Sequence, residues 1–118
     1  MSTKKPKYVF PKSLINKLIR IADEQPTAVI LYLKILANVG TRRRSIKGYP
    51  VEIGQMALKY KQENIFFGTS RKRVRRDRYC LIKNGMIENN RIELITFISV
   101  NGFEAIINQT EKEKDCDL

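Results

Sequence analysis

The sequence predicts an α+β fold in which a helical N-terminal half precedes one strongly basic helix and a C-terminal β-hairpin. Apolar residues recur with helical spacing over Pro11–Ala22 and again over Thr27–Val39, which predicts two helices. The stretch Thr69–Ile87 predicts the basic helix, because Thr-Ser favours a helix start and Asn-Gly favours a helix end. The stretch Arg91–Val100, which follows, is rich in β-branched and aromatic residues, as is typical of β-strands. This order is typical of a winged helix-turn-helix protein.

The length of the chain is that of one domain with one hydrophobic core. It has 118 residues, of which 42% are hydrophobic. The distribution of charge divides it into a basic flexible arm at residues 1–10, a winged-helix domain at 11–109 and a disordered charged tail at 110–118.

The charge balance indicates a polyanionic partner. The chain carries 23 Lys and Arg against 12 Asp and Glu, so its formal net charge is +11. DNA, RNA and an anionic membrane are the partners that such a surplus suggests. A membrane is disfavoured, because the apolar stripe of the first helix is better used in a core.

The composition argues against enzymatic chemistry. There is no histidine and there are only two cysteines, which excludes the usual Cys/His zinc sets and His-based acid–base catalysis. The sequence shows no phosphate-binding or dinucleotide-binding glycine motif. We therefore expect a non-enzymatic protein without metal or cofactor.

The same composition predicts a cytoplasmic location. Two cysteines do not form a disulfide framework, which favours a reducing compartment. No apolar run of 18 residues and no signal-peptide core occurs in the sequence.

The segments between the helices are predicted in turn. The second helix is apolar almost all round, so it is either the centre of the core or a dimer interface. A short strand is predicted over Tyr49–Ile53 and a third helix over Ile53–Lys61, with Met56, Ala57 and Tyr60 turned inward. Gln62–Gly68 would then be a long turn, anchored to the core by at least one of its two phenylalanines.

The hairpin is predicted to begin near Met86–Glu88. Two turns compete for its tip: Asn89–Arg91 and Asn101-Gly102, the latter a strong type I′ signal before Phe103–Ile107.

The basic helix has two faces. Six cations and one acid lie between Arg71 and Arg78. At 100° per residue, Val74 and Leu81 point to the core, and Asp77 and Arg78 lie close to that side. We expect the last two to form a partly buried pair that bridges the helix to another element.

The candidate DNA contacts follow from this geometry. Arginine pairs bidentately with guanine, and the N-terminal half of a recognition helix usually reaches the base edges. The expected base contacts are Lys72, Arg75 and Arg76, with Tyr79 stacking on sugar or base. The expected phosphate contacts are Thr69, Arg71, Arg73 and the loop arginines Arg42, Arg43 and Arg44. Arg91 is the only cation of the predicted wing turns, so wing contacts to the minor groove should be modest unless the loop arginines take that role. The loop arginines are equally consistent with a solvated surface.

Two stretches resemble known families. Val74–Glu88 (VRRDRYCLIKNGMIE) resembles the recognition helix of winged-helix proteins of phages and plasmids, in which arginine pairs precede a Leu-Ile-x-x-Gly-hydrophobic-Ile pattern. Leu18–Ala22 and Ile30–Leu36 resemble the N-terminal domain of phage replisome organisers, and the size and charge resemble small accessory DNA-binding proteins from transfer regions of Gram-positive conjugative plasmids. The resemblance implies duplex DNA as ligand, and other replication or transfer proteins as further partners. The long turn Gln62–Gly68 departs from the pattern, and the absence of a second functional domain favours an accessory factor or autoregulator over a full initiator.

Three functions remain open on sequence grounds. The first is double-stranded DNA binding for transfer, replication or transcription of a mobile element. The second is binding of single-stranded DNA or RNA, with Tyr79, Tyr49 and the wing as stacking platforms. The third is a protein-interaction module that docks through the apolar helix and the hairpin. A homodimer is compatible with each.

Overall fold

The computed structural model describes residues 8–40 and 42–107 and has the predicted α+β composition. The described helices are α1 (Lys12–Glu24), α2 (Pro26–Leu36), α3 (Glu63–Phe67), α4 (Arg71–Lys83) and α5 (Phe103–Ile106). The strands are β1 (Arg44–Ile46), β2 (Tyr49–Val51), β3 (Gln55–Lys59), β4 (Ile87–Ile92) and β5 (Ile95–Val100). Residues 1–7 of the predicted arm and the whole predicted tail 110–118 lie outside the described residues.

The two N-terminal helices form where the sequence predicts them, with shifted ends. Helix α1 continues through Asp23 and Glu24, two residues past its predicted end at Ala22, and stops at Gln25. Gln25 has a non-helical backbone (φ −149°, ψ 79°), since a following proline disfavours the helical conformation at this position. Pro26 then occupies the first turn of α2, where its missing N–H costs no hydrogen bond.

Helix α2 is the centre of the main core. Its buried residues include Ala28, Tyr32 and Ile35, and they pack in one cluster with residues of α1, α4 and the sheet. The remaining face exposes Ile30 and Leu33. The homodimer that this apolar helix suggested stays a prediction.

Residues 8–10, assigned to the arm, belong to the folded part. Tyr8 forms an antiparallel bridge with Ile107, and its hydroxyl donates to the carbonyl of Leu36 at 2.7 Å. Burial raises the pKa of Tyr8.

The main sheet is antiparallel, with the strand order β3-β5-β4. Alternate residues of β3 and β5, such as Met56 and Ile98, pack against the helices. The intervening residues, such as Phe97, form a second cluster with Val51 of β2. The β1–β2 hairpin therefore covers the sheet face opposite the helices.

The prediction of a third helix over Ile53–Lys61 was wrong. Strand β3 occupies this segment, and Met56 and Leu58 enter the core with the two-residue period of a strand. Ala57 belongs to the cluster on the opposite sheet face, and Tyr60 lies in a short 3-10 turn after the strand. Pairing with β5 decided this conformation, since the local residues are compatible with either.

The predicted long turn Gln62–Gly68 is a helix over most of its length. Helix α3 ends at Gly68, whose positive φ of 69° makes the left-handed stop. As predicted, one of the two phenylalanines anchors this segment: Phe67 is buried, whereas Phe66 is exposed.

Both predicted hairpin turns were misplaced. Asn89 and Asn90 lie inside β4, paired with Ile98 and Phe97, and the chain reverses at residues 93–94. Asn101-Gly102 starts α5 instead of a second hairpin strand. Phe103 and Ile106 then enter the core three residues apart, which is helical spacing.

The basic segment after α2 also contains a hairpin. Strand β1 pairs with β2 across a turn at Lys47-Gly48, where both residues have positive φ (49° and 85°), as a type I′ turn requires. The predicted strand Tyr49–Ile53 is thus confirmed over Tyr49–Val51.

Candidate nucleic-acid interface

Helix α4 is held to the core by one side, as the sequence predicts. The side chain of Ser70 accepts a hydrogen bond from the backbone N–H of Arg73 and caps the helix start. Val74 and Leu81 are buried in the main core. At the far end, Gly85 has a φ of 71° and turns the chain toward β4.

Asp77 joins α4 to the junction of α1 and α2. Its carboxylate accepts hydrogen bonds from the side chains of Gln25 and Thr27, the latter at 2.9 Å. Asp77 is buried, so these bonds replace the water that the charge would otherwise need. The expectation that this residue works inside the protein is confirmed.

Arg78 joins α4 to α3 and the sheet. Its guanidinium pairs with the buried carboxylate of Glu63, which also accepts a hydrogen bond from the Thr96 hydroxyl at 2.7 Å. Asp77 and Arg78 therefore do not pair with each other. Each bridges to a different element.

Sequence reasoning missed Glu63, because it was placed in a turn. Its signal was an acid five residues before Gly68, which is the arrangement of a first-turn acid in a short helix that ends at a glycine.

The opposite side of α4 is an exposed cationic face. Ser70, Lys72, Arg73, Arg75, Arg76 and Tyr79 line one open depression on this side. Within the described part of the chain, Asp77 is the one carboxylate within 4.0 Å of a side-chain nitrogen of these cations, at 3.9 Å from Nε of Arg76, and the Arg76 side chain remains 60% exposed. All four predicted recognition residues, Lys72, Arg75, Arg76 and Tyr79, lie on this face.

Helices α3 and α4 are fixed relative to each other by a tight turn. Lys34 of α2 donates to the carbonyl of Phe67 at 2.7 Å, where a cation complements the C-terminal end of α3. The backbone N–H of Thr69 donates to the carbonyl of Asn64 at 3.1 Å. Thr69, a predicted phosphate contact, is half-buried at the start of the cationic helix.

Arg71 and Arg91 meet at one aromatic ring. The guanidinium carbon of Arg91 lies 3.8 Å from the centroid of Tyr60, and that of Arg71 lies 5.5 Å from it. Arg71 begins α4, whereas Arg91 comes from β4, so the fold brings together two predicted DNA contacts that are far apart in sequence.

The loop arginines lie on another part of the molecule. Arg42 is exposed, Arg43 forms an ion pair of 3.0 Å with Glu52, and Arg44 approaches the carbonyl of Gln55 at 3.5 Å. They flank or belong to the β1–β2 hairpin, and no hydrogen bond or ion pair among the described residues joins them to α4. Their role in DNA binding stays a prediction.

Two other polar groups have altered acidity. Burial, followed by the charge of Glu93 and a hydrogen bond to it, raises the pKa of Tyr49. Tyr49 also packs edge-on against Phe97, so its ring is engaged within the protein. Burial, followed by the charges of Asp77 and Glu24, raises the pKa of Cys80, whose side chain packs against the main core.

Among the described residues, no group of three or more His, Cys, Asp or Glu side chains is placed to hold a metal ion. None of the helices in the described ranges is long and apolar enough to cross a membrane. Comparison of the chain with protein-family models, curated proteins and solved structures finds no match. Function is therefore inferred from the side-chain geometry.

Proposed function

We propose that the protein is a winged helix-turn-helix that binds double-stranded DNA without catalysing a reaction. Helices α3 and α4 would be the helix-turn-helix, with α4 as the recognition helix and the β4–β5 hairpin as the wing. The order of elements supports this assignment, because a strand precedes the two helices and pairs with the second strand of the hairpin that follows them. The β1–β2 hairpin would be an addition to this framework.

The observation that carries the proposal is the separation of charge across α4. The two charged residues that point inward, Asp77 and Arg78, are both bonded to other elements. The residues that line the outward depression are Ser70, four cations and one tyrosine. A solvated helix normally interleaves acids for pairing one turn apart, and α4 does not.

The outward face matches the chemistry of duplex DNA. Arginine fits guanine O6 and N7 in the major groove, which admits one helix. Lys72, Arg75 and Arg76 would read bases, and Tyr79 would contact sugar or base. Arg71, Arg73 and Thr69 would bind phosphates beside the groove.

The biological role rests on the resemblance of Val74–Glu88 and the two N-terminal stretches to proteins of phages and plasmids. The protein would be an accessory factor or autoregulator of a mobile element, acting in DNA transfer, replication or transcription. Footprinting on the DNA of that element would locate the binding site and its symmetry.

A salt titration with a labelled duplex tests DNA binding. Neutralising roughly five to eight phosphates predicts a log–log slope of about −5 to −7 for the binding constant against salt. Replacing Arg75 and Arg76 by alanine should weaken binding by about 1–3 kcal/mol for each arginine that reads a base.

The matched control removes the same charge from another surface. Lys12 and Arg20 are exposed cations of α1, and neither lines the depression on the cationic face of α4. Their double alanine variant should bind nearly as tightly as the wild type. Equal losses in both double variants would show general attraction to a polyanion instead of a recognition helix.

Single-stranded nucleic acid is the second candidate ligand. The side chain of Tyr79 favours it, since this residue is 67% exposed on the cationic face and offers a ring for base stacking. Tyr49 supports it less, because its ring packs against Phe97. Competition between a duplex and its separate strands decides between the two ligands.

A further inference from the structure

We propose that Tyr60 holds Arg71 and Arg91 together as one binding site for a backbone phosphate of the DNA. This site, here called the Tyr60 clamp, consists of these three residues. It lies where the start of α4 meets the C-terminal hairpin. The inference rests on the proposed function and assigns to Tyr60 a role that the sequence did not indicate.

The position of Tyr60 is fixed by the sheet. Its backbone N–H donates to the carbonyl of Leu94 at 2.8 Å, which ties the 3-10 turn after β3 to the tip of the hairpin. Arg91 pairs in register with Thr96, so both side chains lie on the sheet face that carries the helices. Thr96 is bonded to Glu63 of α3 on that same face. The hairpin tip, α3 and the start of α4 thus meet around one ring.

The contact with the ring orients the two guanidinium groups without neutralising them. A guanidinium over an aromatic face is attracted by the ring and keeps N–H groups free for another acceptor. The attraction also offsets part of the repulsion between two cations in one place. An isolated surface arginine has no such restraint and must lose side-chain entropy when it binds.

The nearby acids are engaged with other partners. Glu63 pairs with Arg78 and Thr96, and Glu93 acts on the Tyr49 hydroxyl, whose pKa is raised by burial and then by the charge of Glu93. Within the described ranges, no carboxylate lies within 4.0 Å of a side-chain nitrogen of Arg71 or Arg91. Among the described residues, the one hydrogen bond that either guanidinium donates is long, 3.5 Å from Arg71 to the carbonyl of Lys61. A phosphate oxygen is the acceptor that two free guanidinium groups recognise best.

The test compares salt slopes, because a lost phosphate contact lowers the slope magnitude by about 0.9. Arg91→Ala should show this loss and bind duplex roughly eightfold more weakly at about 0.1 M salt, whatever the DNA sequence. Tyr60→Leu should show the same two changes, although it removes no charge. Tyr60→Phe keeps the ring and should behave as wild type.

The Tyr60 clamp is refuted if a folded Tyr60→Leu variant keeps the wild-type slope. If that variant fails to fold, the clamp is tested instead with three arginine variants: Arg71→Ala, Arg91→Ala and the double variant. If both arginines bind one phosphate, the double variant should lower the magnitude of the salt slope by about 0.9, the value of one contact. A decrease of about twice that value would overturn the clamp. Wild-type binding by the Arg75→Ala/Arg76→Ala variant would instead overturn the recognition helix, so the two failures are distinguishable.

Discussion

Two arginines of α4, Arg76 and Arg78, should respond in opposite ways to the same substitution. The Arg78 side chain is 11% exposed and pairs with Glu63, whose side chain is 3% exposed. Arg78→Met would leave the Glu63 carboxylate buried with only the Thr96 hydroxyl as a side-chain donor. Removing one partner of such a pair lowers the free energy of unfolding by about 3–5 kcal/mol. DNA affinity, measured on the folded fraction, should not change.

Arg76→Met is the matched control on the same helix. The Arg76 side chain is 60% exposed, and its contact with Asp77 is long. Its loss should change the free energy of unfolding by about 0.5 kcal/mol or less, as is usual for a surface residue. Duplex affinity should fall by about 1–3 kcal/mol if the guanidinium reads a base.

Urea unfolding followed by circular dichroism gives the stabilities, and fluorescence anisotropy with a labelled duplex gives the affinities. A third variant, Glu63→Met combined with Arg78→Met, should recover most of the lost stability, because apolar residues of similar volume often replace a buried ion pair at little cost. Unfolding of Arg78→Met at the same urea concentration as Arg76→Met would show that the Glu63–Arg78 pair does not stabilise the fold. A double variant as unstable as Arg78→Met would show that the buried, unpaired Glu63 carboxylate is not the cause of the lost stability.

Tyr32, Gly54 and Cys80 provide tests of other parts of the fold. Burial raises the pKa of Tyr32 to about 12. The neutral hydroxyl therefore contributes its full stability below pH 10, and this contribution is lost as the pH rises from 10 to about 12. Urea unfolding should show that the free energy of unfolding falls by about 2–3 kcal/mol over this range, and Tyr32→Phe should abolish the decrease. Gly54→Ala should destabilise by about 2–5 kcal/mol in thermal unfolding, because φ is 79° and the new Cβ would lie 2.8 Å from the Phe103 ring, whereas Gly48→Ala has open space and should cost about 1–2 kcal/mol. Cys80 should be alkylated more slowly in the folded protein than in denaturant at mildly alkaline pH, as measured by peptide mass spectrometry, and equal rates would contradict its raised pKa.

The helix ends and faces could be read from local residues because their causes are local. Ser70 caps α4 and Gly85 ends it, whichever elements surround the helix. The periodicity of Val74 and Leu81 identified the buried face. The same reasoning placed Asp77 and Arg78 inward but paired them with each other. Their true partners come from segments 50 and 15 residues away, which no local pattern specifies.

The strands were harder to place because a strand gains stability from its neighbours. Residues 55–59 alternate in burial only when β5 lies beside them, and as an isolated segment they also suit a helix. The Asn101-Gly102 signal was real as a turn, with φ of 68° at the glycine, but the next residues had a helical path into the core. Turn chemistry fixes where the chain bends and leaves the following element open.

The sequence by itself determined that this protein has an α+β fold and one helix with a cationic outer face. Both properties follow from short-range periodicity and from the identity of the residues that begin and end the helix. Only the tertiary structure decided which cations stay available on that face and which one is used inside. Arg78 forms an ion pair with Glu63 inside the protein, whereas Arg71 and Arg91 both lie against the ring of Tyr60. Such pairings depend on strand register and on the packing of α3 against the sheet, and these are settled only when distant parts of the chain meet.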